Sequence, residues 1–276
     1  MTILILLLIL SACAGALLSW AFGLCPIWWF CLRALLLFAG AFVALTALFF
    51  LGLLICSLFI DKNKPVTKAN HGSRWITGEA MRFILILGRV HVQVEGVERV
   101  DRTKPFLLVA NHRSNFDPFA AMQAFSGTEL VYICKPSIFQ IPIAGPFAHR
   151  SGFLSLNRED NREGLKTIRR AIEILTDEKT AVAVYPEGTR NKTEATLLPF
   201  RAGAFSMATH AKVPIVVACT EHTEDVAHRF LRKRTDVTFR VLDVLTPEQF
   251  ANLHTTEISD AVHAQMEAYI NRNERN

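Results

Sequence analysis

The first sixty residues of the chain contain a single charged side chain, Arg33. Two runs in this stretch, roughly residues 3–22 and 34–60, each provide the length of about 20 apolar residues that a helix needs to cross a bilayer. Glycine, proline and two tryptophans lie between the runs, a composition that interrupts helices and is typical of a membrane interface. We therefore expect residues 1–60 to form a membrane anchor of two apolar helices.

Two other interpretations of this apolar region stay open. The first run could be a cleaved signal peptide, although no Lys or Arg precedes it as the n-region of a signal peptide requires. The two runs could also form a shallow helical hairpin within one leaflet, which hydropathy does not distinguish from a spanning pair. The positive-inside rule predicts that the rest of the chain lies on the cytoplasmic face of the cell (inner) membrane, because basic residues follow the second run: Lys62, Lys64, Lys68 and Arg74.

The remainder of the chain, residues 61–276, carries 29 of the 30 basic residues and all 25 acidic ones. This mildly basic balance suits an anionic membrane surface or a phosphate-bearing substrate, and we expect no nucleic-acid partner. The basic segment RFLRKR at 229–234 could contact lipid headgroups or form a solvated turn. Outside the apolar region the cysteines are Cys134 and Cys219, without a CxxC pair, so we expect reduced thiols and no metal site.

Alternating strand and helix patterns organise the chain beyond a polar link and one helix in residues 61–88. That helix, at 75–87, has too many apolar positions for a solvated exterior, so it should pack in the core or lie against lipid. For residues 89–276 we predict one α/β domain with a mixed, largely parallel sheet flanked by helices. The predicted strands are 90–94, 106–110, 130–133, 153–156, 181–185, 215–219 and 237–244, and the predicted helices are 118–125, 161–176, 202–210 and 255–273.

The octapeptide NHRSNFDP at 111–118 directly follows a predicted strand and places His112 five positions before Asp117. Catalytic groups of open α/β sheets lie outside the carboxyl ends of the strands. A turn that starts a helix at Asp117 would let the carboxylate orient one imidazole nitrogen and leave the other to accept a proton, as in a catalytic triad. A helix cap beside an ordinary loop histidine is the alternative. A metal site lacks a third ligand, and Ser114 lacks the elbow of a hydrolase nucleophile.

Two further predicted strands end in charged residues. The hexapeptide YPEGTR at 185–190 leaves Glu187 and Arg190 at the rim of the sheet, where a turn with a surface ion pair is the alternative. The segment GFLSLNR at 152–158 ends in Arg158. Because the ends of parallel strands share one edge of a sheet, His112 would lie near two guanidinium groups. This arrangement suits a hydroxyl substrate that bears a phosphate.

These motifs resemble, in order, the four sequence blocks of the glycerolipid acyltransferases typified by 1-acylglycerol-3-phosphate acyltransferase. The matching segments are 111–118 for the H-x4-D block, then 152–158, 185–190 and 213–217. The resemblance covers roughly residues 105–220. This chain differs from the family in having Tyr185 in place of Phe, Asn157 where an acidic residue is common, and Ala218 where a second proline often follows.

The resemblance implies a reaction and a set of roles. An acyl group would pass from acyl-CoA or acyl-ACP to the sn-2 hydroxyl of lysophosphatidic acid, which gives phosphatidic acid for phospholipid biosynthesis. His112 would be the general base and Asp117 its orienting partner. The acceptor phosphate and its pocket would involve a second set of residues: Arg158, Arg190, Lys135, Glu187, Gly188 and Thr189.

Within this set, Arg158 and Arg190 would bind the phosphate, and Lys135 would be either a third cation there or a solvated loop charge. Glu187 with Gly188 would shape the pocket or buttress an arginine, since a carboxylate should not face a phosphate. No metal or prosthetic group is implied, because the thioester already supplies the activated acyl group. A different lysolipid acceptor and a non-catalytic lipid-binding protein in the membrane are the alternatives.

Overall fold

The computed structural model describes residues 2–21, 27–62, 64, 66, 70–157 and 160–273. Arg158 and Lys68 lie outside the described residues, as do the glycine and proline between the two apolar runs. The helices are α1 Thr2–Ala21, α2 Ile27–Leu58, α3 His71–Leu87, α4 Asp117–Ala124, α5 Ala144–Arg150, α6 Asn161–Thr176, α7 Ser206–Ala211, α8 Glu224–Arg229, α9 Pro247–Phe250 and α10 Thr255–Asn273. The strands are β1 Val90–Glu95, β2 Leu107–Ala110, β3 Leu130–Cys134, β4 Leu154–Ser155, β5 Ala181–Val184, β6 Ile215–Glu221 and β7 Thr235–Leu245.

The two apolar helices, α1 and α2, pack against each other through small residues. Ser11, Gly15 and Ser19 recur at intervals of four along α1 and are its buried positions. A Cβ atom on Gly15 would lie 2.9 Å from the backbone nitrogen of Phe38, so only glycine allows this approach. Small residues at this spacing are how apolar helices pack closely in a bilayer. By length and composition, α1 and the part of α2 from Trp29 onward could each cross a membrane.

The strands form one seven-stranded sheet with the order β1-β7-β6-β2-β5-β3-β4. Every neighbouring pair is parallel except β6 and β7, which pair antiparallel. The predicted mixed, largely parallel sheet is therefore confirmed, and each predicted strand is present. The central strands β2 and β5 are buried along their whole length, as their uninterrupted apolar sequences require.

Helices cover both faces of the sheet. On one face α6, α7 and α10 contribute Ile174, Met207 and Met266 to a core that includes the side chains of Val109 and Val217. On the other face α4 and α5 pack on a second core around Tyr132, Phe106 and Phe239. Each fully buried side chain of this size contributes about 1.5–3 kcal/mol of transfer free energy. Both cores therefore hold the sheet rigid at the positions from which the motifs emerge.

Helix α3 has both buried and exposed side chains, so one part of its surface packs against the protein and another part is free to lie against lipid. Leu85 and Glu79 are buried, and Glu79 accepts a hydrogen bond from the backbone N–H of Thr2 at the start of α1, whereas Trp75, Ile86 and Leu87 are exposed. The predicted helix at 202–210 is split into a 3-10 turn, Ala202–Ala204, and the separate helix α7. The sequence patterns did not predict the short helices α5, α8 and α9.

Candidate active site

Three parallel strands at the centre of the sheet bring the main motifs together. Strand β2 lies between β5 and β6, with Leu107 opposite both Val182 and Ile215. Their carboxyl ends therefore point to the same edge. The segments that leave this edge are the turn at 111–118, the turn at 185–191 and the connection after β6.

The turn after β2 joins His112 to Asp117 as the spacing predicts. Asp117 is fully buried at the first position of α4, and its Oδ2 atom lies 2.7 Å from Nδ1 of His112. The same oxygen accepts hydrogen bonds from the backbone N–H groups of Arg113 and Ser114, each at 2.8 Å. Among the described residues, Nε2 of His112 has no hydrogen-bond partner, and the side chain is 18% exposed. One imidazole nitrogen is thus oriented and the other can receive a proton.

Residues of the turn after β5 contact the backbone and one ring face of His112. Glu187 accepts a hydrogen bond from the backbone N–H of His112 at 2.6 Å. The backbone N–H of Asn191 donates to the carbonyl oxygen of His112, also at 2.6 Å. The ring of Tyr185 stacks on the imidazole, with 4.4 Å between ring centroids and an interplanar angle of 23°. The backbone and one ring face of the histidine are therefore fixed by residues more than seventy positions away.

The hydrogen bonds of the Glu187 carboxylate are with backbone N–H groups, which the sequence patterns did not predict. Its carboxylate accepts hydrogen bonds from two backbone N–H groups, those of His112 at 2.6 Å and Leu198 at 3.0 Å, and contacts no arginine within the described residues. Burial raises the pKa of the Glu187 carboxyl above its ordinary value, although both N–H groups oppose the shift. In this structure Glu187 ties the histidine turn to the segment after β5.

Arg190 lies in the same turn, whose conformation depends on a preceding glycine. Gly188 has φ +73°, in the left-handed region that favours glycine, and its N–H donates to the carbonyl oxygen of Tyr185 at 2.9 Å. Thr189 is exposed and Arg190 is half-buried. Within the part of the chain that the structure describes, the Arg190 guanidinium has no ion pair or hydrogen bond. Arg190 directly precedes Asn191, whose N–H donates to the carbonyl oxygen of His112, so the backbone of Arg190 lies close to that of His112.

Lys135 emerges farther along the same edge. Exposed Lys135 follows β3, two strands from β2 and so about 10 Å away at the usual strand spacing. Arg158 follows β4, the next strand outward, and its own position is not described. A cavity of about 730 Å³ opens beside β4, and its lining includes Phe153, Leu154 and Ser155 of the same sequence block. That block thus borders open space.

The two thiols of the α/β domain are not poised for chemistry. Burial raises the pKa of Cys134 to about 12 and raises that of Cys219 as well. Both are free of disulfides, and thiolate is the form that reacts. Among the described residues, no three His, Cys, Asp or Glu side chains form a group that could hold a metal ion.

Two residues at the site were missed by the sequence patterns. The side-chain amide of buried Asn111 donates to the carbonyl of Thr220 at 3.0 Å and accepts from its N–H at 2.7 Å, which joins the ends of β2 and β6. The hydroxyl of Thr223 donates to Oδ1 of Asp117. Asn111 stands next to His112 in the sequence, but neither contact has a local sequence signal, because both cross from one strand to its neighbour.

Comparison with known proteins adds independent information. A family model described as acyltransferase matches residues 91–220. The chain is 32% identical over 201 residues to the 1-acyl-sn-glycerol-3-phosphate acyltransferase of Saccharomyces cerevisiae, which covers 71% of this chain and 65% of the relative. It is 27% identical over 180 residues to the alpha form from Mus musculus, covering 64% of this chain and 62% of that relative. The chain thus spans slightly less than two thirds of the length of these relatives.

Among solved structures, the chain resembles the crystal structure of PlsC, a 1-acyl-sn-glycerophosphate (LPA) acyltransferase from Thermotoga maritima. The TM-score is 0.58 at 20% sequence identity, and the match covers 83% of this chain and 90% of the other. This likeness establishes that the two chains share a fold.

Proposed function

The chain belongs to the acyltransferase family, and from this premise we propose that it transfers an acyl group from a thioester donor to the sn-2 hydroxyl of lysophosphatidic acid. The product would be phosphatidic acid. The observation that carries the proposal is the imidazole of His112, oriented through Nδ1 by buried Asp117 and left without a partner at Nε2 among the described residues. The names of the curated relatives support this choice of acceptor. Acyl-CoA and acyl carrier protein are both suitable donors.

In the proposed reaction His112 acts as a general base. Its Nε2 takes the proton of the acceptor hydroxyl as that oxygen attacks the thioester carbonyl, and Asp117 stabilises the imidazolium that forms. The C–O bond forms, the C–S bond breaks, and the proton passes from Nε2 to the departing thiolate. A protein nucleophile is not needed. Ser114, the nearest hydroxyl in sequence, is buried and accepts a hydrogen bond from the N–H of Phe116 at 3.2 Å.

The acceptor phosphate is proposed to bind the cations of this edge. Arg190 is the first of them, because it is half-buried, directly precedes the residue that contacts the His112 backbone, and lacks a carboxylate partner among the described residues. A guanidinium in that state can form paired, charge-assisted hydrogen bonds with phosphate. Arg158 and Lys135 would extend the cationic surface toward β4. Glu187 has a supporting role here, since both of its oxygens are occupied by backbone N–H groups.

The apolar helices are proposed to anchor the catalytic domain to the cytoplasmic face of the cell membrane, where the acceptor and the product reside.

A basic, apolar patch next to the site supports contact with the bilayer. Phe230 packs on Phe116 of the histidine turn with 5.9 Å between ring centroids, while neighbouring Leu231 is 58% exposed. Ile86 and Leu87, both exposed, are the last residues of α3. The next residue, Gly88, also contacts Phe230. Arg229 and Arg234 of the segment 229–234 pair with Asp225 and Asp236, so Arg232 and Lys233, which follow Leu231 in the chain, would meet anionic headgroups.

An assay of the purified full chain tests the proposed function. Lysophosphatidic acid, lysophosphatidylcholine, lysophosphatidylethanolamine and glycerol 3-phosphate would each be offered with acyl-CoA and with acyl-ACP. We expect phosphatidic acid from lysophosphatidic acid, and at least a hundredfold less of it from His112→Ala. Preference for another lysolipid would change the proposed acceptor. A chain that is folded but transfers no acyl group in any combination would contradict the proposal and leave the non-catalytic alternative.

A second assay tests the membrane contact. Vesicles of phosphatidylcholine, with and without an anionic phospholipid, would carry the reconstituted protein. Reversing the charge of Arg232 and Lys233 should lower activity on anionic vesicles and have little effect on neutral ones, because headgroup attraction depends on charge. Equal loss on both kinds of vesicle would contradict the contact.

A further inference from the structure

Thr223 contacts the proposed catalytic pair from outside every recognised motif. It lies two residues after β6, beyond the four sequence blocks and beyond residues 91–220, which match the family model. Its side-chain hydroxyl donates a hydrogen bond to Oδ1 of Asp117, although 106 positions separate the two residues. Both side chains have no exposed surface. A contact of this kind is shielded from competition by water.

The local conformation directs this hydroxyl toward Asp117. Thr223 stands at the N-cap position of α8, where a threonine usually caps the helix through its side chain, yet no such capping bond forms. His222, just before it, has φ +65°, a left-handed conformation that is uncommon for a residue other than glycine. The turn thus gives up a helix cap and accepts an unfavourable backbone conformation, and the Thr223 hydroxyl reaches Asp117.

The two oxygens of the Asp117 carboxylate are held in different ways. Oδ2 faces Nδ1 of His112 and two backbone N–H groups of its own turn. Oδ1 has the Thr223 hydroxyl as its partner among the described residues. Without this donor, Oδ1 would be a buried charged oxygen with no hydrogen bond, a costly state. The carboxylate would then rotate to share its remaining donors, and its contact with the imidazole would change.

We propose that Thr223 is a positioning residue that fixes the rotation of the Asp117 carboxylate and thereby the orientation of His112 as a general base. This inference rests on the proposed acyltransferase function for its kinetic consequences. Thr223 acts through Asp117 and does not touch the substrate. Its removal should therefore slow the chemical step and leave acceptor binding nearly unchanged.

Kinetics of three variants test the role. Thr223→Val keeps the side-chain shape and removes the donor, so kcat should fall by about tenfold to a hundredfold while KM for lysophosphatidic acid stays within about twofold. Thr223→Ser restores the hydroxyl and should recover most of kcat. Thr235→Val is the matched control, because Thr235 is equally buried and its hydroxyl has no partner within the described part of the chain. We expect wild-type kinetics from this control.

A double-mutant cycle separates positioning from a merely structural role. In an Asp117→Asn background, Thr223→Val should lower kcat by less than about twofold, because the group through which Thr223 acts is already impaired. A full further loss of tenfold or more would show that Thr223 acts independently of Asp117 and would overturn the proposal. Unchanged kcat in Thr223→Val would overturn it as well. Thermal unfolding of each variant would show whether it is folded.

Proton NMR provides a readout that does not need activity. The hydrogen-bonded Nδ1–H of His112 should give a downfield signal, assigned by its loss in His112→Ala. Thr223→Val should move this signal upfield and Thr235→Val should leave it in place. If the wild type acylates no lysolipid but the signal responds as expected, the proposed function fails and the positioning role stands. If the wild type is active and the signal does not respond, the positioning role fails alone.

Discussion

Charged side chains cluster at two edges of the sheet, the one where the parallel strands begin and the one where they end, but the charged groups have different partners at each. At the edge where β3 and β5 begin, the guanidinium of Arg74 on α3 pairs with Glu129 and lies 3.6 Å from Glu178. Arg170 of α6 pairs with Glu178 too. At the opposite edge, the carboxylates of Asp117 and Glu187 are occupied by an imidazole, a hydroxyl and backbone N–H groups, and Arg190 has no counter-charge among the described residues.

This difference separates a structural cluster from a chemical one. Where each cation has a carboxylate, the charges fasten helices α3 and α6 to the sheet and have little capacity left for a ligand. At the second edge the carboxylates accept hydrogen bonds from other groups of the protein. The cation beside them can therefore bind an anion, and one imidazole nitrogen can accept a proton. Substitutions at the first edge should therefore change stability, and those at the second should change catalysis.

The largest effect is expected for the imidazole. His112→Ala removes the base and should lower kcat by about 10²- to 10⁴-fold without altering the melting temperature strongly, since the side chain is partly exposed. Steady-state kinetics and thermal unfolding of the purified variant measure both quantities. Turnover near that of the wild type would refute the catalytic assignment.

Arg190→Ala should have the next largest effect, on acceptor binding. Loss of a charge-assisted pair to the phosphate should raise KM for lysophosphatidic acid about tenfold to a hundredfold and change kcat less. Lys192→Ala is the control, because Lys192 is exposed in the same segment. Equal changes in both variants would show that general surface charge, and not a specific phosphate contact, is responsible.

At the opposite edge, Arg74→Met should change stability and leave catalysis almost untouched. Two carboxylates lose a cation whose side chain is 9% exposed, so we expect a loss of about 1–3 kcal/mol in the free energy of unfolding. Denaturant unfolding measures this loss, and kcat/KM per folded molecule should stay within about twofold. A tenfold loss of kcat/KM at unchanged stability would contradict the division between the two edges.

The smallest effect is expected from a pair of hydroxyl deletions near the site. The Tyr185 hydroxyl is buried without a hydrogen-bond partner in the described part of the chain, so Tyr185→Phe should keep the stacking on His112 and raise stability by up to about 1 kcal/mol. Tyr132→Phe should instead lower stability by about 1 kcal/mol, because its hydroxyl donates to the carbonyl of Pro118 at 3.0 Å. A large loss of activity in Tyr185→Phe would indicate a catalytic use for its hydroxyl.

Sequence patterns predicted most of the fold for a specific physical reason. The buried strands are short uninterrupted apolar runs between polar turns, and the bounds of α6 and α10 coincide with those predicted because long helices repeat their apolar pattern several times. The helices α5, α8 and α9 have only four to seven residues, which is too short for a repeat to be recognised. The predicted helix at 202–210 was wrong at its start, where residues 202–204 form a 3-10 turn and the α-helix begins only at Ser206.

The sequence by itself determined the apolar N-terminal helices, the α/β class and the local contact between His112 and Asp117, because each depends on residues within one element or one turn. Only the tertiary structure decided the partners of Glu187 and Thr223. Both contacts arise because β2 lies between β5 and β6, and strand order follows from how both faces of the whole sheet are buried. Local sequence patterns predict which residues follow the end of each strand. The packing of strands that are distant in sequence decides which of these residues contact one another.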